Sequence, residues 1–578
     1  MSVVVRFIRT YLLPYWHWYV GGATALVITN AMTVVIPGYL AQAIDAFDGP
    51  NTRDVVVLNA TWIAGLGIAI MIIRTLSRVL FFTPGRLVEA RVKRDLFERV
   101  LVQQPAFLRK YPAGDLFSRV SSDVNALRLL AGFGLLSVIN VVTVLGLTVS
   151  QMVRLSPMLT VYMIVPLLIG LALTQVTIRW LFVLIQRMNE QIAALSDHAL
   201  SSYEGIATVK AFAAEAAFYT RFQSINLDYQ RTTIQRAGLR ALIGPVLTIA
   251  ALFDVFLLLW VGGDAVIRGA LTAGELVAFV SLVAILTGPL RGLSFIIAIV
   301  KQAQASLDRA YEILDPPIDR PDRPNPVVPV DRPPTIEVRD LTFSYPDGGD
   351  PILTGVSFQV PAGGTVGVFG QTGAGKSTLL RCLTRLFNPP AGTVFIDGED
   401  VRSLDLETWR ERAVLVPQRA FLFSESLADN ILLGAPDEGR LDRVIDLAAL
   451  RQDVDALPQR EQTQVGEAGL MLSGGQRQRT ALARGMIRSP TVLLLDDVLS
   501  AVDHGTEAEL LASLRGGHGP SPTTVIVANR ISALQHADLI LVLDHGVVVD
   551  MGTHVELLGR PGLYRDTWEK QREGEDGS

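Results

Sequence analysis

From Thr10 to Ile44 the chain carries no formal charge. A run that long without charge leaves few folds open, because about 20 apolar residues suffice to cross the hydrocarbon core of a bilayer. Pro14 is expected to break the run, which puts a first span at 18–45. A second starts at Val55, a third covers 129–153 and a fourth 155–178. The fifth, 241–263, is interrupted only by Asp254, and the sixth, 276–300, only by Arg291. Charged groups inside spans are costly and often functional; these two either line a pocket or pair with each other. With 49% hydrophobic and 19% charged residues, the composition of the 578-residue chain agrees with a membrane protein of more than one domain. A net charge of −5 argues against a nucleic-acid partner. The single cysteine, Cys382, cannot form an internal disulfide and reads as a buried thiol.

Connections near 47–54, around Arg154 and near 264–274 are short. Those at 83–128 and 179–240 are long, helical in pattern and basic, with Arg86, Arg91, Lys93, Arg94 and Arg99 in the first. Basic loops stay on the cytoplasmic side, so both long loops and both chain ends are expected there, in the cell membrane. Residues 2–13 read as an interfacial helix; no small-residue cleavage site of a signal peptide follows them. Residues 316–334 hold eight prolines among Asp and Arg, a stiff linker. Beyond it, short apolar strands alternate with helices and Gly turns, the pattern of an α/β domain. The expected partition is 1–315 for the membrane part, 316–334 for the linker and 335–578 for the soluble domain.

Two stretches of that domain carry chemistry. Gly370-Gln371-Thr372-Gly373-Ala374-Gly375-Lys376-Ser377 fits G-x-x-x-x-G-K-S, after the strand-like 365–369 and before an expected helix 378–386. In that context the glycines let backbone N–H groups wrap phosphates, Lys376 reaches the β and γ oxygens, and Ser377 ligates Mg²⁺. The second stretch is Leu472–Asp503. Ser473-Gly474-Gly475-Gln476 opens a helix whose N-terminus suits an anion, and Val492–Leu495 reads as a buried parallel strand. That strand delivers Asp496 and Asp497 to the carboxyl end of a sheet, where open α/β folds bind ligands.

Together these stretches resemble the ATP-binding cassette (ABC) family, over nearly all of 336–560. The resemblance implies a membrane α-helical domain with six transmembrane helices in the type IV ABC exporter fold, followed by an α/β P-loop NTPase cassette. It implies ATP and Mg²⁺ as cofactors. Gly370 to Ser377, with Thr378, would hold the phosphates, and Tyr345 in F-S-Y-P would stack on adenine. Gln418 matches the Q-loop glutamine, Asp496 the Walker B carboxylate holding Mg²⁺ through water, and Ser500-Ala501-Val502-Asp503 the D-loop. Ser473, Gly474, Gly475 and Gln476 match the signature that faces a second nucleotide across a head-to-tail pair of cassettes. Gln464-Val465-Gly466-Glu467 resembles the exporter X-loop. Gly114-Asp115 with Arg119 and Asp123, and Glu204-Gly205-Ile206 with Val209 to Phe212 and Glu215, resemble the two coupling loops.

Two positions depart from the family. Asp497 stands where the family has Glu, one methylene shorter, and Asn529 in Ala528-Asn529-Arg530 stands where it has His. An amide hydrogen-bonds but neither carries positive charge nor takes a proton as imidazole does. Both departures fall in the site built on this chain's own Lys376, with Asp497, Asn529 and Gln418 as its catalytic set, while its LSGGQ is intact. The resemblance therefore implies the degenerate-site subunit of a heterodimeric exporter of the multidrug or lipid type, partnered by a second half-transporter, membrane lipids and a hydrophobic or amphipathic substrate. The alternatives are a dedicated lipid or peptide exporter of the same fold and an ATP-clamped regulatory module that moves nothing.

Overall fold

The structure, a computed structural model, describes residues 3–48, 52–316, 326–346, 348–466, 469, 471–501, 505–507, 509–510 and 521–576. It divides into two units, Met1–Leu101 with Ala113–Pro316, and Val102–Pro112 with Pro317–Ser578.

The first unit is helical. Val3–Asp45, Thr52–Val102, Ala113–Leu155 and Pro157–Glu204 are each long and apolar enough to cross a membrane. Pro14 makes only a 3-10 turn, Leu13–Tyr15, between the N-terminal helical turns and Trp16–Asp45. The proline sits near the start of that turn, where a missing N–H costs little. The segments expected as fifth and sixth spans lie in Glu215–Leu257, continued through a π turn to Ile267, and in Ala273–Leu314. Within the latter, Ala273–Pro289 is an apolar helix of shorter reach.

Two apolar clusters hold these helices. Phe7, Val88, Leu96, Leu127, Leu307 and Ile313 form one, and Met152, Met163, Leu258, Phe279 and Leu282 another. Asp254 is buried beside Leu258, with neither carboxylate oxygen hydrogen-bonded among the described residues. The side chain of Arg291 lies outside the described residues. The charged residues of the first coupling motif turn inward. Arg119 donates to Asp115 and to Glu312 at 2.8 Å each, and Asp123 accepts from Ser306 at 2.9 Å and from Arg309. They pin Ala113–Leu155 to the last helix. In the second motif Lys210 pairs with Glu215 at 2.9 Å, and Phe212 stands 80% exposed.

The second unit is built on two sheets. β1 (Ile336–Phe343), β2 (Leu353–Val360), β4 (Val394–Ile396) and β5 (Glu399–Asp400) form an antiparallel sheet in the order β2-β1-β4-β5. The larger sheet has the order β10-β9-β3-β8-β7-β6, with β3 at Thr365–Phe369, β6 at Ala413–Val416, β7 at Val492–Asp496, β8 at Thr523–Val527, β9 at Leu539–Asp544 and β10 at Val547–Gly552. Its strands pair in parallel except β10. Every residue of β7 is buried, as its uninterrupted aliphatic run requires of a strand covered on both faces.

Candidate nucleotide-binding site

The parallel register lines up the carboxyl ends of the strands. Val416 pairs with Leu495, Asp496 with Val527, and Val527 with Val368. The residues just beyond these ends therefore share one rim: the loop 370–375 after β3, Gln418 after β6, Asp497 after β7 and Asn529 after β8. A cleft of about 290 Å³ opens there, lined by Thr372 to Thr378, Gln418, Asp496, Asp497 and Asn529. The phosphate, metal and catalytic residues expected from the sequence thus converge from four strands.

Two glycines of the loop are dictated by space. A Cβ on Gly370 would stand 2.2 Å from the Leu543 carbonyl oxygen of β9. Gly375 caps the following helix at φ +98°, and a Cβ there would meet Leu353 and the Ile352 carbonyl oxygen within 3 Å. Both are positions for a residue without a side chain. The helix is Lys376–Leu383, three residues shorter at its end than the expected 378–386. The chain leaves the helix through Arg385 at φ +52°, whose buried guanidinium bonds Asn388 and the Val401 and Leu404 carbonyls. Those side-chain bonds take the chain out of the helix, which intrinsic preference would have continued.

Lys376 Nζ donates to the carbonyls of Gly370 (2.6 Å) and Gln371 (3.0 Å) and to Asn529 Oδ1 (3.0 Å). Burial holds its pKa below the usual lysine value, against the pull of Asp497 and Asp496. Ser377 Oγ donates to Asp496 Oδ1 at 2.9 Å. Burial raises the Asp496 carboxyl above the ordinary carboxylate range, opposed by Ser377 and Arg381. A hydroxyl and a carboxylate at that distance fit a Mg²⁺ ion, which favours hard oxygen ligands and few protein groups.

Asp497 is 6% exposed and sits at φ +53°, in the left-handed region. Its Oδ2 accepts from Gln418 Nε2 at 3.0 Å and from Asn529 Nδ2 at 3.2 Å. The amide of Asn529 is used at both ends, and its backbone carbonyl accepts from Gln571 Nε2 at 2.9 Å. Tyr345 lies to one side: its hydroxyl shares a hydrogen bond with Thr378 Oγ1 at 2.9 Å, and its ring meets Phe343 and Phe387 edge to face.

The signature residues form a separate group. Ser473 caps Gly474–Met486 in a capping box: its Oγ accepts from Gln476 N at 3.2 Å while Gln476 Oε1 accepts from Ser473 N at 2.8 Å. Gln476 Nε2 donates to Asp453 at 2.9 Å, and Arg479 pairs with the same carboxylate at 2.9 Å. Asp453 is missed by the sequence reading; it lies 23 residues upstream in a helix with no motif of its own. Among the described residues, a Cβ on Gly474 would meet nothing within 4 Å. Glu467 of the X-loop and Val502-Asp503 of the D-loop lie outside the described residues. Gln464, at the other end of the X-loop, bridges to Ser426.

A helical bundle with membrane-length apolar helices, followed by a phosphate-loop ATPase cassette, defines a multi-pass ATP-driven membrane transporter. The model of the ABC transporter transmembrane region matches residues 20–290, and the ABC transporter model matches 353–500. The chain belongs to the ABC transporter family, as an exporter of the type IV fold with an ATP-hydrolysing cassette. It is 31% identical to a probable multidrug resistance ABC transporter ATP-binding/permease protein of Bacillus subtilis, over 99% of this chain and 98% of that one. It is 30% identical to the multidrug resistance-like ATP-binding protein MdlA of Escherichia coli, over 96% and 95%. An ATP-dependent lipid A-core flippase of Methylococcus capsulatus shares 30% identity over 99% and 95%. The solved structure of a bacterial Atm1-family ABC exporter with ATP bound superposes with a TM-score of 0.80, at 27% identity over 96% of this chain and 98% of that one.

Proposed function

We propose that this chain is one half of a heterodimeric exporter that moves amphipathic compounds, drugs or lipids, out of the cytoplasm or inner leaflet. Its own ATP site is slow, and its LSGGQ completes the hydrolytic site of the partner. The observation that carries this reading is the bonding of Asp497. Two amide N–H groups, from Gln418 and Asn529, converge on its Oδ2, in the place of a longer carboxylate and an imidazole. Both lone pairs of that oxygen are then taken up by amide donors. The shorter side chain also sets it back from an attacking water, and a displacement of about 1 Å costs on the order of 10²-fold in rate.

In this reading Lys376 and the N–H groups of 372–378 hold the phosphates of ATP, and Tyr345 takes the adenine. Ser377, Asp496 and Gln418 hold Mg²⁺, which supplies charge stabilisation when bound. Asn529 keeps Lys376 and Asp497 apart while bonding both, so the site binds and clamps more readily than it turns over. The open space around Gly474 supports an outward-facing signature, since none of the described residues crowds it. An apolar cavity of about 530 Å³ lined by Tyr162, Pro166, Ile169, Phe253 and Leu257 supports a hydrophobic substrate, as do the multidrug and lipid names of the relatives. The protein lies in the cell membrane with both termini and the cassette in the cytoplasm.

Steady-state ATPase and vesicle transport by the purified pair test the assignment. Asp497→Asn should change turnover modestly, whereas removing the partner's Walker B glutamate should nearly abolish it. Arrest of the pair by Asp497→Asn alone, with the partner's carboxylate dispensable, contradicts the division of labour. ATP binding with no transport by the pair favours the regulatory-clamp alternative.

A further inference from the structure

Tyr345 carries a second partner. The segment Val102–Pro112 clusters with the cassette, and Arg109 lies over the Tyr345 ring with its guanidinium carbon 4.6 Å from the centroid. The segment is anchored to the cassette ahead of that contact. Gln103 and Gln104 are buried, and Gln104 Oε1 accepts from Arg410 at 2.8 Å. Arg410 in turn donates to the Arg385 carbonyl at 2.6 Å, at the end of the helix that follows the phosphate loop. Within the segment the rings of Phe107 and Tyr111 pack at 5.1 Å.

Tyr345 is half-buried, and most of its surroundings are fixed. Phe343 and Phe387, both in the cassette core, meet it at 5.4 and 5.0 Å, and Thr378 and Arg381 hold its hydroxyl at 2.9 and 3.3 Å. The guanidinium of Arg109 covers a face of the ring. A base and a guanidinium both bind a phenol ring through its π face, so one face serves one of them at a time.

We propose that Arg109 and the adenine of a bound nucleotide compete for the Tyr345 face that Arg109 covers, so that ATP frees the segment 102–112 at this point and the segment in turn lowers the affinity of this site for adenine nucleotides. The proposal rests on the reading of Tyr345 as the adenine platform. It makes Arg109, a residue far in sequence from every cassette motif, a determinant of nucleotide affinity. The coupling is reciprocal: whatever holds the segment in place weakens ATP binding by the same factor that ATP loosens the segment.

An exposed cation–π contact is worth a factor of about 2–5 in an equilibrium constant. Equilibrium binding to the full-length protein in detergent micelles reads it directly, with ATP and inorganic tripolyphosphate as probes. Arg109→Ala should tighten ATP binding about 2–5-fold, Arg109→Lys should do so less, and neither should change tripolyphosphate binding. Tyr345→Ala should weaken ATP binding and erase the effect of Arg109→Ala in the double variant. A fluorophore on Lys110→Cys should gain mobility on addition of ATP but not of tripolyphosphate. Unchanged or weaker ATP binding by Arg109→Ala, or an equal change with tripolyphosphate, overturns the competition while leaving the platform reading intact. If Tyr345→Ala leaves ATP affinity untouched while Lys376→Ala lowers it, the platform reading itself fails.

Discussion

Asn529 donates its side-chain N–H to Asp497 Oδ2 at 3.2 Å while its amide oxygen accepts from Lys376 at 3.0 Å. The two departures from the family pattern are thus bonded to each other, and to the lysine of the phosphate loop, in one short chain of side chains. An amide has a fixed donor end and a fixed acceptor end, so this arrangement needs no proton to move.

Because Asp497 and Asn529 touch, changing them should not be additive. Asp497→Glu and Asn529→His should each alter turnover at this chain's own site little. The double change should raise it about tenfold or more, part of the cost of misplacement recovered. ATPase of the proposed pair, with the proposed partner's Walker B glutamate removed, isolates this site. A double variant no faster than either single one would show that the slowness lies elsewhere.

Gly474 should be far more sensitive than Asp497. Its Cβ position is open among the described residues, so Gly474→Val should leave the cassette folded and act only where the proposed partner's nucleotide docks. Near-complete loss of ATPase with an unchanged unfolding midpoint is the expected result, measured on the purified pair.

The phosphate loop should act locally and within a pH window. Lys376→Ala removes a charged donor worth about 1.5–3 kcal/mol, roughly 10–100-fold in nucleotide binding at this site, and should spare the site of the proposed partner. In the wild type, burial lowers the Lys376 pKa, so its charge is lost as pH rises at a point below that of an ordinary lysine. Burial raises that of Asp496, so the Mg²⁺-dependent part of binding is lost as pH falls at a point above that of an ordinary aspartate. Mg²⁺ titrations with a fluorescent ATP analogue across pH should give a bell with both edges drawn inward.

Ser473→Ala removes the cap of Gly474–Met486 and should cost about 0.5–2 kcal/mol of stability. Asp453→Ala should act in the same direction, because Asp453 holds both Gln476 and Arg479. Thermal unfolding of the purified protein compares the two.

Cysteine labelling checks the membrane topology without interference from the native thiol. Cys382 is fully buried and burial pushes its pKa up to about 12, so the folded wild type should not react with maleimide at neutral pH, and should react once denatured. Against that blank, Phe47→Cys should label from outside intact cells and Lys110→Cys should not. The reverse pattern would invert the chain in the membrane.

The apolar runs, the phosphate loop and β7 were legible from the sequence because each is local. A transmembrane run is set by length and charge, G-x-x-x-x-G-K-S by the backbone conformation it allows, and β7 by five consecutive aliphatic or acidic residues between breakers. Even the capping box at Ser473 could be read three residues at a time. The two departures at 497 and 529 were visible as letters, but not that they touch. That contact exists because β7 and β8 lie side by side in parallel register, with Asp496 opposite Val527, a pairing between strands far apart in the chain. The same holds for Asp453 under Gln476 and for Arg109 over Tyr345, which no spacing rule connects. Sequence alone determined which chemical groups this protein owns and the local shapes that present them. Only tertiary structure decided which groups meet, because strand pairing and side-chain packing act between residues whose separation along the chain carries no information about their distance.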